Sequence, residues 1–429
     1  MAPLPGETYF QALEPYPYVS TGIPFFEACL HHAVDTFGAE RIYVIVSTSI
    51  SITANFTRLK TALGTRIIGV RYGIRQHVPW DDVVEVAQEL VDLDADLVVT
   101  LGAGSLTDAA KVATLAAAND ALTIDALEKL RGKDSAAIRP VTIPTINIPT
   151  SLAGGEYNPH AGATDLRIHR KAGFTHPSMV ARLVILDPAL TISTPARVWL
   201  SSGVRAVDHC VEGLCSPFFR EDAGQTEANQ TASKKQEIEN IFLDGLAKLL
   251  PSLLTTKTYP TDLDARRNEM LGVLDSMRGL LLGNVQVGAS HGIGHQLGPL
   301  GVGHGETSCV MLPAVLRWNL ERGDDFVRRR QQLVLQAFWA HQTVSELLKA
   351  GGLDQGTATA GEVVRTYVAS LGMPTTLQDV GIRREWLDKL AENSMTDRNI
   401  STNPVPIAGA AQVKEILNLA MDGQRTESR

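Results

Sequence analysis

Four histidines have residue types and spacing that could do chemistry together. His291 and His295 are four residues apart, so on a helix they share one face, and His304 follows in a glycine-rich turn. His209 lies earlier, in the segment 203–212. Imidazoles can ligate a metal, donate a proton or orient a substrate, and the 429 residues include only 11 histidines. The pattern therefore predicts a site rather than four separate structural residues.

Arg205 stands where a metal site of this kind would need its fourth ligand. It precedes His209 by four residues, so the two side chains share a helix face. A guanidinium keeps its proton and cannot ligate a cation. It would repel a divalent ion about 4 Å away by roughly 8 kcal/mol at an effective dielectric constant of about 20. Asp208 is a poor substitute ligand, because it points about 100° away around the helix.

We therefore expect no metal at this place, and we expect Arg205 to face the site. There it could hold a carboxylate or phosphate in a two-pronged contact, or stabilise a developing oxyanion. The alternative is a surface arginine that pairs with Asp208.

A second candidate site follows a predicted buried strand at 96–101. The next residues, Gly102-Ala103-Gly104-Ser105, begin a helix that contains Asp108. Glycines at such a turn let the backbone approach a ligand closely, and the helix N-terminus offers free N–H groups to an anion. A pyrophosphate fits this description. The alternative is a capping box formed by Ser105 and Asp108, which would explain both residues without a ligand.

The turn at 149–159 follows another predicted strand, at 141–148. In a doubly wound sheet, ligands bind at the carboxyl ends of the strands. Thr150 and Ser151 could therefore line the same groove.

The elements that must position these residues change character near residue 190. Before it, short apolar runs rich in β-branched residues alternate with helical patterns, which predicts an α/β domain with a mostly parallel, Rossmann-like sheet. The predicted strands are 41–46, 66–70, 96–101, 141–148 and 183–186, with a helix at 81–93.

After residue 190, helical patterns at 238–254 and 326–350 predict an all-α domain. We therefore divide the chain into residues 1–190, a dinucleotide-binding domain, and 191–429, a helical catalytic domain. The polar segment 219–236 is interpreted as a surface insertion or mobile loop.

Composition and charge limit the classes of function. The chain is 44% hydrophobic and 20% charged, and a net charge of −8 without a dense Lys/Arg block argues against a nucleic-acid partner. We expect no signal peptide, because residues 1–7 contain neither a positively charged region nor an apolar one. We also expect no membrane partner, because no uncharged apolar run reaches about 18 residues. The four cysteines lack metal-ligand spacing and indicate reduced thiols, with Cys210 a buried apolar residue. We expect a cytoplasmic protein that acts on a small molecule, and an anionic one would suit Arg205.

Together these motifs resemble the iron-containing alcohol dehydrogenase family, within the dehydroquinate-synthase-like fold, over nearly the whole chain. The matching segments, in chain order, are Gly102-Ala103-Gly104-Ser105 with Asp108 and Lys111, Pro149-Thr150-Ser151, Asp187-Pro188, 203–212, His291 with His295, His304-Gly305 and Asn403-Pro404.

Within this family the chain more closely resembles the maleylacetate reductase branch. The segments that carry this are Val46-Ser47-Thr48, which lacks the usual acidic residue, His77-Val78-Pro79, the short loop 149–159 and His304-Gly305-Glu306-Thr307. That branch is regarded as metal-independent, with asparagine where metal-using relatives have aspartate. Arg205 matches neither pattern.

The resemblance implies an NAD(P)-binding N-terminal domain, a helical C-terminal domain, a reactive cleft between them and a homodimer. It places His209, His291 and His304 at metal-ligand positions and His295 near the nicotinamide. Without an acidic residue after the first strand, NAD and NADP both stay open. The other expected cofactor contacts are Ser47, Gly102, Gly104, Ser105, Asp108, Thr150, Ser151, Leu152, Lys171 and Leu186.

We predict a metal-independent, NAD(P)H-dependent oxidoreductase that reduces a carbonyl or an activated alkene. Arg205, His209, His291 and His304 are its expected catalytic residues. One alternative is a redox-neutral isomerase, lyase or cyclase that uses the histidines as acid–base groups. A second is an iron- or zinc-dependent alcohol dehydrogenase with three histidine ligands. A third is a non-catalytic binding protein descended from the enzyme.

Overall fold

The computed structural model describes residues 3–131, 133–168, 170–221 and 231–422. These residues form two compact units, which divide between Ser193 and Thr194. None of the helices in the described ranges is long and apolar enough to cross a membrane.

The first unit is built on a seven-stranded sheet in the order β1-β2-β9-β6-β5-β3-β4, with β7 and β8 forming a separate antiparallel pair. The described strands are β1 (Thr8–Gln11), β2 (Tyr18–Thr21), β3 (Ile42–Val46), β4 (Ile67–Tyr72), β5 (Leu97–Gly102), β6 (Thr145–Pro149), β7 (His160–Asp165), β8 (Arg170–Thr175) and β9 (Leu183–Leu186). All neighbours in the large sheet are parallel except β1 and β2. The predicted mostly parallel sheet is confirmed.

Helices cover both faces of this sheet, and β3 shows why its sequence is apolar throughout. Tyr43 and Ile45 belong to one buried apolar cluster, whereas Ile42, Val44 and Val46 belong to another. Alternate side chains of a strand point to opposite faces, so a strand covered on both sides needs an apolar residue at every position. The helices of this unit are α1 (Phe25–His31), α2 (Thr48–Ser51), α3 (Ala54–Leu63), α4 (Trp80–Asp92), α5 (Gly104–Ala118), α6 (Ile124–Arg131) and α7 (Pro188–Thr191).

The second unit consists of helices joined by loops, with no strand among its described residues, as predicted. Its helices are α8 (Ala196–Cys215), α9 (Ala232–Thr258), α10 (Leu263–Leu282), α11 (Ala289–Leu297), α12 (His304–Arg322), α13 (Asp325–Ala340), α14 (Gln342–Ala350), α15 (Ala360–Ser370), α16 (Leu387–Ser394), α17 (Arg398–Ser401) and α18 (Ala410–Asp422). Helix α8 is the central element, because it packs against α9, α10, α12 and α13.

Several predicted boundaries are wrong. The strand expected at 141–148 begins only at Thr145, after Pro144, which has no N–H to donate to a neighbouring strand. The helix expected at 326–350 is two helices, because His341 between them has extended backbone. Of the loop expected at 219–236, residues 222–230 lie outside the described ranges. Its end is already helical, since the Thr231 side chain caps α9 by accepting from the Lys234 N–H at 3.2 Å.

Candidate functional site

The first unit gathers most of the expected cofactor residues at the carboxyl ends of adjacent strands. Strands β3, β5 and β6 are parallel neighbours, so Ser47, Gly102 and Thr150 emerge at one edge. The Ser47 N–H donates to Leu101 O and the Thr150 N–H to Gly102 O, both at 3.0 Å, which ties the three strand ends together. Leu152 is buried beyond Thr150 and Ser151. Leu186, also buried, ends β9 on the other side of β6.

Gly102 is required by this packing. A Cβ built there would lie 2.8 Å from Leu106 Cδ2 and 3.1 Å from Ser47 Cβ, at a φ of +156°. Gly104 then opens α5, whose N-cap is Ala103 with no side-chain cap bond. The capping-box alternative for Ser105 and Asp108 is therefore wrong, because the helix begins two residues too early for it. The first-turn N–H groups of α5 are not capped by a side chain.

Asp108 of α5 and Lys171 of β8 lie near each other, because both contact Gly162 of β7. The Asp108 carboxylate accepts the Gly162 N–H at 3.4 Å, and the Lys171 side chain lies against the same glycine. Burial raises the pKa of Asp108, while the nearby lysine charges of Lys111 and Lys171 oppose the rise.

Sequence reasoning did not select Lys111 and Glu156 as site residues. Glu156 is buried within the turn 149–159, and Lys111 is buried against that turn. The Lys111 ammonium donates to Gly155 O and, at 3.0 Å, to His160 O, so it fastens this loop onto α5. Burial raises the pKa of Glu156 to about 7. One signal was available in the sequence, since Lys111 is the only charged residue after Asp108 in an otherwise small and apolar helix.

In the second unit, α8 is buried at every position from Trp199 to Cys215. Its polar side chains must therefore find partners inside the protein, because an unsatisfied buried polar group costs about 1–3 kcal/mol. Arg205, Asp208, His209 and Glu212 are the ionisable members.

Glu212 contacts three nitrogens at the start of α11. Its carboxylate accepts the Gly288 N–H at 2.9 Å and the Ser290 N–H at 2.8 Å, and it contacts His291 Nδ1 at 2.8 Å, where the ring tautomer decides which group donates. Burial raises the pKa of Glu212 to about 7, while these donors and the charge of Arg205 oppose the rise. Because this contact uses Nδ1 of His291, Nε2 of the ring is left to interact with a ligand, and Nε2 is buried without a partner among the described residues.

Asp208 points to α11 rather than to Arg205. It is fully buried, accepts the Ser290 hydroxyl at 2.8 Å and lies 3.5 Å from His291 Nδ1. Burial, reinforced by the neighbouring Glu212, raises the pKa of Asp208 well above its usual range.

Arg205 is 4% exposed, so the alternative of a surface arginine paired with Asp208 is wrong. The partners of its guanidinium are neutral oxygens at the start of α12: His304 O at 3.4 Å, Thr307 Oγ1 at 3.5 Å and Ser308 Oγ at 3.3 Å. Within the described chain all three contacts are made by Nη1. Burial lowers the pKa of Arg205 to about 10, which still leaves the guanidinium charged at pH 7.

The four histidines form a row. Ring centroids are 4.9 Å apart between His209 and His291, 6.5 Å between His291 and His295, and 6.4 Å between His295 and His304. At one end, Nδ1 of His209 is buried with no partner in the described chain. Burial, with the charge of Arg205 beside them, lowers the pKa of His209 and of His291 well below the usual value, so both rings are neutral at pH 7. His295 differs, because its Nδ1 contacts Asp397 at 2.8 Å.

A parallel-sheet unit with a glycine turn at its strand ends, followed by a helical unit with buried imidazoles, is the arrangement that the sequence resemblance predicts. Comparison with protein families agrees. The model "Iron-containing alcohol dehydrogenase" matches residues 25–188, and "Fe-containing alcohol dehydrogenase family, C-terminal" matches residues 226–421. The chain belongs to the iron-containing alcohol dehydrogenase family and is an oxidoreductase. The redox-neutral and non-catalytic alternatives have no support from this assignment.

Two fungal relatives are similar over most of their length. "Dehydrogenase ALT3" of Alternaria alternata is 46% identical over 380 residues, covering 86% of this chain and 96% of that protein. "Dehydrogenase FUM7" of Gibberella moniliformis is 42% identical over 414 residues, covering 94% and 96%. Maleylacetate reductase of Burkholderia cepacia is 26% identical, covering 94% and 96%. These matches confirm the predicted likeness to maleylacetate reductases.

Solved structures show the same fold. The crystal structure of maleylacetate reductase from Agrobacterium tumefaciens matches with a TM-score of 0.70 and 23% identity, covering 99% of this chain and 100% of that one. Sulfoacetaldehyde reductase from Bifidobacterium kashiwanohense, solved with NAD+, matches with a TM-score of 0.76 and 18% identity, covering 97% and 99%.

Proposed function

We propose that this protein is a metal-independent reductase that uses NADH or NADPH to reduce a carbonyl or an activated alkene on an anionic small molecule. The observation that carries the proposal is the buried guanidinium of Arg205 beside a row of imidazoles. The names of the relatives, two dehydrogenases and several maleylacetate reductases, support the reaction class.

The turn at the strand ends of the first unit fits a dinucleotide. The uncapped N–H groups of α5 and the absence of a side chain at Gly102 suit a pyrophosphate. The Ser151 hydroxyl is buried there without a partner among the described residues, so it is available to a ligand. A bound nicotinamide would supply the hydride. Lys111 would keep the loop 149–159 in place while the cofactor binds.

Arg205 would bind the anionic group of the substrate or polarise the oxygen that becomes negative. Its present contacts are long and go to neutral oxygens, and among the described residues no carboxylate forms a close ion pair with the guanidinium. A carboxylate or phosphate ligand could instead accept two shorter, parallel bonds from the guanidinium.

His291 is the proton donor that the hydrogen bonds favour. Glu212, with a pKa of about 7, can carry a proton at neutral pH and contacts Nδ1 of His291 at 2.8 Å. A proton passed from Glu212 to Nδ1 would allow Nε2 to release its own proton to the substrate. General acid catalysis of this kind contributes about 10²–10⁴-fold.

The metal of metal-using relatives does not fit the residues present. In the described part of the second unit, the possible metal ligands that lie close together are Asp208, Glu212 and His291, with one donor atom of each within 4.8 Å of the others. They are not the three imidazoles that the resemblance predicts. The two carboxyls already accept bonds from Ser290 and Gly288. Arg205 adds a repelling charge at the position of the fourth ligand. We therefore derive no step through a metal.

The test is reduction of maleylacetate and of a panel of carboxylate-bearing aldehydes and ketones, in the presence of a metal chelator. We expect nicotinamide oxidation that matches substrate loss one for one and is unaffected by the chelator. Activity that disappears with chelation and returns with iron or zinc would favour the metal-dependent alternative. Tight NADH binding without turnover of any substrate would contradict the proposed reaction.

We further propose a cytoplasmic homodimer. The four cysteines are all free and buried, which suits a reducing compartment. Light scattering of the purified protein would test the dimer, and a fluorescent fusion in the source cells would test the location.

A further inference from the structure

We propose a second site, separate from the proposed active site: Glu7, His31 and His32 in the first unit bind a zinc-class divalent cation. One donor atom from each of the three residues lies within 4.8 Å of the others. Two imidazoles and one carboxylate are a common protein ligand set for zinc. The family motifs and the proposed reaction do not involve these residues, so this inference does not rest on the proposed function.

The local backbone brings the two adjacent histidines together. Helix α1 ends at His31 and continues as one wider, π-helical turn over His32–Thr36. Such turns are rare in proteins, and those that occur often lie at functional sites. The two imidazole centroids are 4.9 Å apart.

Each ring is held through its Nδ1 by a side chain four residues further on. His31 Nδ1 contacts Asp35 at 2.8 Å, and His32 Nδ1 contacts the Thr36 hydroxyl at 2.9 Å. This is the arrangement of metal-binding histidines, whose second nitrogen bonds a carboxylate or another fixed group and so sets the tautomer. It leaves both Nε2 atoms for a ligand.

The two Nε2 atoms differ in what they have now. His32 Nε2 contacts Glu7 Oε1 at 2.7 Å, whereas His31 Nε2 is buried with no partner in the described ranges. A buried ring nitrogen without a partner is costly, and a metal ion would satisfy it. Glu7 is itself fixed, because the Leu4 N–H donates to it at 2.8 Å and the Ser20 hydroxyl at 2.5 Å.

The distances suit a metal after a small adjustment. Zinc binds imidazole nitrogen and carboxylate oxygen at about 2.0–2.2 Å, so two tetrahedral ligands lie about 3.3 Å apart. Glu7 and His32 would therefore separate by roughly 0.6 Å from their present 2.7 Å. His31 and Asp35 give access from solvent, since their side chains are 13% and 53% exposed.

The test is zinc and cobalt binding to the full-length, tag-free protein after chelator treatment, followed by dialysis and elemental analysis. We expect His31→Gln to bind one ion fewer than the wild type and to lose the visible absorption of tetrahedral cobalt. We expect Asp35→Asn, which removes only the negative charge of the group that contacts Nδ1, to bind about 10–100-fold more weakly. His341→Gln changes an exposed histidine of the second unit and should bind as the wild type does.

Thermal unfolding gives an independent measurement. Zinc should raise the Tm of the wild type and of His341→Gln, but not that of His31→Gln. If His31→Gln does not fold, the affinity of Asp35→Asn decides, because Asp35 is largely exposed. Equal zinc binding by the wild type and both variants, or zinc binding that only His291→Gln removes, would overturn the proposal.

Discussion

Replacement of Arg205 with methionine removes the buried positive charge and keeps a long, unbranched side chain in its place. The three bonds that are lost are 3.3–3.5 Å long and end on neutral oxygens. Thr307 Oγ1 keeps its own bond to His304 O at 2.8 Å. The expected loss of stability is therefore modest, about 1–3 kcal/mol.

The expected effect on catalysis is larger. Removal of one donor to a developing oxyanion typically costs about 10²–10³-fold in kcat, or about 2.7–4 kcal/mol. We expect Arg205→Met to lose that much in kcat/KM. We expect the kcat/KM of Arg205→Lys to lie between those of the wild type and Arg205→Met, because lysine keeps the charge but not the planar pair of donors. Arg205 lowers the pKa of His209 and His291, so in Arg205→Met both values should rise toward the ordinary range.

Steady-state kinetics on the best substrate of the panel would measure this, with circular dichroism to show that each variant folds. The pH profile adds a second readout, since the acidic limb should move to higher pH in Arg205→Met. A folded Arg205→Met variant with wild-type kcat and KM would refute the role of the guanidinium.

Three further predictions follow from single contacts. Burial raises the pKa of Glu269 from 4.5 to about 7, so the folded state binds this proton more tightly and the free energy of unfolding falls as pH rises from about 4.5 to 7. Glu269→Gln should remove roughly 3 kcal/mol of this fall, measured by denaturant titrations across the pH range. An unchanged pH dependence would contradict the shift. Gly102→Ala places a Cβ 2.8 Å from Leu106 and should weaken NADH binding. In the control Gly409→Ala, the added Cβ meets no atom within 4 Å, so this variant should bind NADH as the wild type does. Equal NADH affinities of the two variants would count against the turn as a cofactor site. Glu212→Gln places an amide N–H against groups that are themselves donors, so it should cost about 1–3 kcal/mol in stability. It should also lower kcat more than it changes KM, and a larger effect on KM would argue against the role of Glu212 in proton supply.

The sequence predicted the interior strands well, because a strand buried on both faces shows as an unbroken apolar run. β3 and β9 are such cases. The edge strand β1 and its neighbour β2 were missed because each has four residues and a mixed polar pattern. The β7–β8 pair was missed for a related reason, since His160–Asp165 consists mostly of small residues and depends on its partner for its structure.

The sequence predicted that the four imidazoles lie close together, but not how they are bonded. Helical spacing was enough to place His291 and His295 together and to relate Arg205 to His209. It could not show that α8 is buried on all sides, which decides where Asp208 and Glu212 point. Glu212 is 79 residues away in sequence from the ring it contacts, and no local pattern indicates such a pair.

The metal content of the second unit is the most direct test of the central claim that a guanidinium has replaced the ion. The measurement is elemental analysis of His31→Gln protein, in which the proposed N-terminal site cannot contribute, after expression with iron and zinc supplied. We predict no stoichiometric metal and full activity in the presence of a chelator. One iron or zinc ion per chain, lost on substitution of His209 or His291 together with activity, would contradict the account.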